Sequence, residues 1–523
     1  MDLTFLLSVV LFILLSPLLY RIYTVLASPL HHIPGPFLAR FTKLPYFLSI
    51  YRGQAHQDNI ALHRRYAPPG QHFAPIVRLG PNLYSITSPD KAVYGVASKF
   101  PKSSWYEGWR HPNPQRWSLF PNRDIARHAE TRRVFSSIYS MSSLVGYEGY
   151  VDTCNGIFEQ RLRERARGGE WIDMTRWLQC YAFDVIGEIT YSKRFGFLDG
   201  GEDVAGLIKA LDANMRYSTL VGVYSWIHPY LYRMLEKMPN SGAGGRTYIN
   251  QTIQRRLEER KAERKKRTVE GGGKAKLSVE EEGAPKDFLD RMFEMLEDGK
   301  KGVIPYHLFM LCMSNVVAGS DTTAVSLSSV LYHLIRTPRA LEKLREELNA
   351  AEKEGEINGT EIGFNASMKM RYLQACLKEG LRLLPATGLP LWRVVPQGGA
   401  TVCGQFFPAG EVGINTWVAH YDKDIWGEDV ESYRPERWIE AEDQGGEKIK
   451  TMEAYYMPFG LGSRTCIGRH ISWLEMSKVV PKLVRTFDFE LERPDKEMTT
   501  QNYWFVKPVD FSVKVKLRAE SIV

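Results

Sequence analysis

Helical periodicity dominates the middle of this chain. Apolar residues recur at three- and four-residue spacing over Arg123 to Ser140, Val151 to Arg167, Trp171 to Ser192 and Tyr306 to Arg336, and these stretches predict long helices. Leu341 to Lys353 and Met370 to Leu384 predict two more. Strand signals are fewer and shorter. They open with "PIVRLGPNLYSITSP", where Val, Ile, Tyr and Thr stand between proline and glycine breakers. They return at Leu391 to Val395, Ala400 to Phe407 and Phe511 to Leu517. The Gly- and charge-rich stretch from Gly271 to Pro285 predicts a surface loop between helices. No repeat period appears, and no boundary cleanly splits the pattern. The expected fold is mostly α with minor β, in one large domain.

One stretch is not amphipathic at all. Leu3 to Tyr20, "LTFLLSVVLFILLSPLLY", is an uncharged run bounded by Asp2 and Arg21. As a helix it rises about 27 Å, enough for the thin bilayer of the endoplasmic reticulum. A cleaved signal peptide is the competing reading, with "VLA" before Ser28 as a passable cleavage site. The acidic start and the length of the run argue against it. Arg21, His31, His32 and Arg40 follow the span, which favours a cytosolic bulk. The expected organisation is a transmembrane anchor over 1–21, a linker with a Pro-Gly-Pro hinge over 22–50, and a catalytic domain over 51–523.

Composition narrows the class. With 523 residues, 44% hydrophobic and 24% charged, the chain is globular and supports a large core. A formal charge of +8 suits an anionic cofactor, an acidic partner or a membrane surface. Nucleic acid is not an expected partner. The densest basic run, "QRRLEERKAERKKR" from Gln254 to Arg267, carries glutamates at helical spacing and reads as a solvated helix end. Six scattered cysteines without a C-x-x-C or a histidine cluster predict neither a disulfide framework nor a zinc ribbon.

Four short motifs carry chemistry. "AGSDTT", Ala318 to Thr323, puts a glycine, an acid and two alcohols inside a helix that is apolar on all sides. Its hydroxyls can bond local carbonyls and widen the helix, and an acid beside an alcohol there suits a proton relay. A polar face turned to solvent is the bland alternative. "KEGLRL" places Glu379 and Arg382 on one helical face, and "YRPERW" adds Arg437 after a proline bend. Spacing alone leaves open a surface ion pair or a buried structural joint. "FGLGSRTCIG", Phe459 to Gly468, crowds three glycines and an arginine around Cys466.

In this order the four motifs resemble the cytochrome P-450 haem-thiolate monooxygenases. The specific one is F-x-x-G-x-R-x-C-x-G, met at Phe459, Gly462, Arg464, Cys466 and Gly468. The resemblance implies a single cytochrome P-450-like domain binding haem b, with Cys466 as the axial ligand of the haem iron. Its thiolate would favour O–O cleavage. Gly462 and Gly468 would allow a tight turn and close approach to the porphyrin, and Phe459 would shield the sulfur. Arg464, Arg393, Arg132 and His128 would be propionate partners, although the family often has a tryptophan where His128 stands. Asp321 and Thr322 match the acid–alcohol pair that delivers protons for dioxygen cleavage. Glu379, Arg382 and Arg437 would be structural.

The same resemblance implies an NADPH–cytochrome P-450 reductase as electron donor, an apolar small-molecule substrate, and a single-pass anchor in the endoplasmic reticulum membrane. "FPKSSWYEGW" and "ATGLPLWRVVP" look like filamentous-fungal members of the pisatin demethylase-like group. That suggests secondary-metabolite oxidation, with detoxification of plant-derived or xenobiotic compounds as an alternative. An isomerase or dehydratase without oxygen insertion is a further one. Trp105, Tyr106, Trp109, Trp117, Phe120 and Trp504 suit an apolar or polycyclic substrate, and core packing explains them equally well.

Overall fold

The computed structural model describes residues 22–270, 286–357 and 361–518, with residues 12, 15, 16, 19 and 20 upstream. Most of the expected anchor and the whole 271–285 loop lie outside the described residues. The core is built on helices α1 (Ile125–Ser136), α2 (Glu148–Gly168), α3 (Met174–Tyr191), α4 (Leu207–Val223), α5 (Gly242–Glu270), α6 (Tyr306–Arg336), α7 (Arg371–Leu383) and α8 (Arg469–Thr486). The long α6 is the axis, packed against α3, α5, α7 and α8. Among the described residues it is the one helix long and apolar enough to cross a membrane, and it is a core helix. Gly380 lets α7 cross it closely, because a Cβ there would lie 2.5 Å from Val330 Cγ2.

The strands are peripheral. β1 (Ile76–Gly80), β2 (Leu83–Ile86), β3 (Arg393–Val394) and β4 (Glu411–Ile414) form one sheet in the order β1-β2-β4-β3. The β2–β4 pairing is parallel and the other two are antiparallel. β5 (Thr500–Tyr503) and β6 (Phe505–Pro508) make a hairpin, and Trp504 turns it at φ +81°. That left-handed backbone is costly for a bulky residue. It is held by Asn502 Oδ1 accepting from Trp504 N and by Gly388 N donating to Trp504 O, 3.1 and 3.0 Å.

The α6 and α7 boundaries agree with the periodicity to within a residue. The stretch from Trp171 to Ser192 does not. Trp171–Asp173 is a strand pairing with Ser512–Leu517, and Asp173 then caps α3 by accepting from Arg176 N at 3.0 Å. Ala400 to Phe407 is likewise a hairpin of two three-residue strands, turned at Cys403 (φ +51°) and Gly404 (φ +77°).

Candidate active site

The turn from Met457 to Gly468 delivers Cys466 to the start of α8. Gly460 (φ +69°) and Gly462 (φ +57°) bend it, and the Cys466 amide donates to the Phe459 carbonyl at 2.7 Å. At Gly462 the close approach is to backbone: a Cβ would sit 2.0 Å from the Tyr94 carbonyl oxygen. Gly468, at φ −86°, meets nothing within 4 Å at its Cβ position, so the chain itself places no steric demand there. The Phe459 ring meets Trp473 edge-on at 6.2 Å.

Cys466 is exposed, and so is Ala318 in the middle of the core helix α6. Burial nonetheless pushes the Cys466 thiol up, while the amides of Gly468 and Arg469 and the Arg132 charge pull it back. Protein therefore surrounds an opening onto which the sulfur faces. Amides at a helix start are the groups that favour a thiolate.

Around the turn, one set of basic groups gathers from four separate segments. Lys102 and Arg393 are joined by a β-bridge, and Val394 N donates to Pro101 O at 2.9 Å. Arg464 Nη1 donates to the Asn122 carbonyl at 2.8 Å, while its Nη2 is buried without a partner. His128 and Arg132 lie on α1. Burial and Arg393 push the Arg464 guanidinium down to about 10. Burial, then Arg393 and Arg464, drive the Lys102 ammonium well below the usual lysine range. Burial and the Arg464, Lys102, Arg132 and Arg393 charges push His128 down to about 3. Among the described residues none of these cations is ion-paired with a carboxylate. The set is short of negative charge, and Lys102 is the member that sequence motifs did not single out.

On α6 the helix runs unbroken through "AGSDTT". The hydroxyls bond back to carbonyls without opening it, Thr322 Oγ1 to Ala318 O at 2.6 Å and Ser326 Oγ to Thr322 O at 2.9 Å. Asp321 is 1% exposed, which removes the solvent-face alternative. Its Oδ1 accepts from Gln179 Nε2 of α3 at 2.6 Å, and its Oδ2 lies 2.8 Å from Lys507 Nζ on β6. Lys507 also pairs with Asp212 of α4, whose side chain is half exposed. Burial works against the Lys507 charge, and the two aspartates more than offset it, raising its pKa.

Glu379 and Arg382 form the buried joint and not the surface pair. Both side chains are 0% exposed. Glu379 accepts from Arg382 Nη2 at 2.8 Å, Arg437 Nε at 2.9 Å and Trp438 Nε1 at 3.0 Å. Burial alone would raise the Glu379 pKa, and Arg382 and Arg437 hold it below the usual carboxylate range.

A cytochrome P450 family model matches residues 61–515 of this chain. The chain belongs to the cytochrome P450 family. A pisatin demethylase of Fusarium vanettenii is 37% identical over 507 residues, covering 96% of this chain and 91% of that protein. A second pisatin demethylase of that organism is 38% identical over 508 residues, covering 96% and 93%. A cytochrome P450 monooxygenase of Aspergillus terreus is 36% identical over 471 residues, covering 88% and 90%. This P450 is a haem-thiolate monooxygenase, similar to fungal members of the family.

Proposed function

We propose that this P450 oxidises an apolar small molecule in secondary metabolism, using dioxygen and electrons from an NADPH-dependent reductase. The single observation that carries the site assignment is Cys466. It is an open thiol within enclosing protein, with helix-start amides on its sulfur and a charge-starved basic set beside it. That set fits a dianionic tetrapyrrole. Arg464, through its unpartnered Nη2, would hold the haem propionates together with Arg393, Lys102 and Arg132. His128, neutral in this setting, would contribute a hydrogen bond and not a charge. Cys466 would ligate the iron. When bound, haem supplies one-electron and dioxygen chemistry.

The chain's own residues would manage the protons. Asp212 and Lys507 make the solvent end, and Asp321 the inner end, of an ionic path that stops one residue from Thr322. Asp321 would take a proton on its carboxylate, and the Thr322 hydroxyl, released from Ala318 O, would pass it on. The presence of this pair favours oxygen insertion over isomerisation or dehydration.

The reading extends to the membrane. Trp226, Tyr230, Met234 and Met238 are exposed at four-residue spacing, and Leu44, Leu48 and Tyr51 are exposed on another short helix. Phe47 of that helix meets Tyr224 at 5.9 Å, which joins the two apolar stripes. Together with Leu3 to Tyr20 they support a single-pass anchor and a domain resting on the endoplasmic reticulum surface.

The test is the reduced, carbon-monoxide-bound spectrum of the purified full chain, followed by NADPH- and reductase-dependent product formation. A thiolate-type Soret band that Cys466→Ser abolishes supports the assignment. An imidazole-type band, or turnover without NADPH, overturns it.

A further inference from the structure

His420 is fully buried between the Glu379–Arg382 joint and the Cys466 turn. It closes the short helix Thr416–His420. Its Nδ1 meets the Arg382 carbonyl at 3.0 Å, and Arg382 Nη1 donates back to the His420 carbonyl at 3.0 Å. Its Nε2 meets the Met457 amide at 2.9 Å. These partners determine the tautomer. An amide N–H only donates, so Nε2 is the bare acceptor, and a carbonyl only accepts, so Nδ1 carries the proton. Neutral imidazole is the one form that satisfies both bonds. The ring stacks on Tyr456 at 5.6 Å and meets Trp426 at 5.9 Å, which holds its plane.

Met457 is where the turn begins. Its carbonyl accepts from Gly460 N at 3.0 Å. The Phe459 carbonyl then accepts from Cys466 N at 2.7 Å and from Thr465 Oγ1 at 3.2 Å. A continuous path of short bonds therefore runs from the Glu379–Arg382–Arg437 joint through one imidazole to the backbone that carries the sulfur.

We infer that His420 is a positioning residue for the Cys466 thiolate: by accepting the Met457 amide it holds the Phe459 carbonyl, and through it the Cys466 backbone, in register with the ion-paired joint. This rests on the reading of Cys466 as the haem ligand. It gives the joint a specific output, which is the placement of the sulfur.

The two ring nitrogens can be tested separately. Asn places its amide nitrogen near the Nδ1 position, and Gln places its amide oxygen near the Nε2 position. His420→Gln keeps the bond to Met457, and His420→Asn keeps only the bond to Arg382. Met457→Pro deletes the same amide from the other side. In the haem-loaded full chain, His420→Gln is expected to retain the thiolate-type carbon-monoxide spectrum. His420→Asn and Met457→Pro are expected to convert the larger part of it to the neutral-thiol form, with helix content unchanged. Equal loss in the Asn and Gln variants, through unfolding or with the fold intact, makes His420 a packing residue and overturns the proposal. So does retention of the thiolate signal in all three. A wild-type chain with no thiolate signal is a different failure, that of the Cys466 assignment itself.

Discussion

The Asp321 carboxylate lies 2.8 Å from the Lys507 ammonium, so the acid of the core helix is tied to the β5–β6 hairpin. Removing Lys507 leaves Asp321 and Asp212 as buried or half-buried carboxylates without their shared cation. Lys507→Met is expected to cost about 3 kcal/mol of stability, and Lys507→Arg much less, read by thermal or denaturant unfolding of the loaded protein. Asp321→Asn is expected to slow product formation by ~10²-fold or more, with the haem-thiolate spectrum unchanged.

Thr322 donates to its own helix and touches no other side chain through that bond. Thr322→Ala therefore leaves the fold intact. It is expected to uncouple the enzyme: NADPH oxidation continues while product per NADPH falls by roughly tenfold or more. Parallel measurement of NADPH loss and product decides it. An unchanged ratio would remove Thr322 from the relay.

Glu379 answers to two guanidiniums and an indole. Glu379→Gln strands Arg382 as a buried charge and leaves Arg437 only Asp429 as its carboxylate partner, at a cost of about 3–5 kcal/mol. Little soluble haem-loaded protein is expected, and what remains should unfold at lower denaturant. The sign of the pH effect is also set. Because the folded pKa is depressed, the wild-type contribution is present above the ordinary carboxylate range and is lost as pH falls below it.

Buried imidazoles predict a second acid transition at higher pH. Burial pushes His56 and His420 down to about 3, and His63 and His333 to about 4. An unfolded histidine titrates near 6.5. Below that value the unfolded chain binds more protons than the folded one, so stability falls as pH drops. Each such residue costs on the order of 1–2 kcal/mol by pH 5. Denaturant unfolding at pH 7.5 and pH 5 should differ accordingly, and a flat profile would contradict it.

Lys102 has its Nζ on the Phe120 carbonyl at 2.5 Å and over the Tyr106 and Phe120 rings at 4.2 Å. One charge-assisted hydrogen bond is worth about 1.5–3 kcal/mol. On the proposal that Lys102 also holds a propionate, Lys102→Met is expected to speed haem loss to an acceptor protein by roughly ten- to a hundredfold. Lys102→Arg should stay close to wild type.

What was legible in the sequence tracks the range of the interaction. The helix Tyr306–Arg336 was readable because its own side chains carry its period. The Cys466 turn and the Glu379–Arg382 pair were readable because their chemistry is compressed into a few residues. Trp171–Asp173 was merged into a helix because its strand character exists only against Ser512–Leu517. Lys102 and Lys507 were missed for the same reason. Each is an ordinary lysine until a β-bridge to Arg393, or a hairpin against Asp321, gives it a partner. Burial was illegible too: nothing in E-x-x-R distinguishes a solvated pair from one that is 0% exposed.

The gathering of Lys102, Arg393, Arg464, Arg132 and His128 has a consequence for the folding of the polypeptide. The basic side chains of this set oppose one another and share no carboxylate among the described residues, so an anionic group bound among them relieves that opposition. Loading and folding are thereby coupled: the haem-loaded chain is expected to unfold at higher denaturant than the same chain without haem.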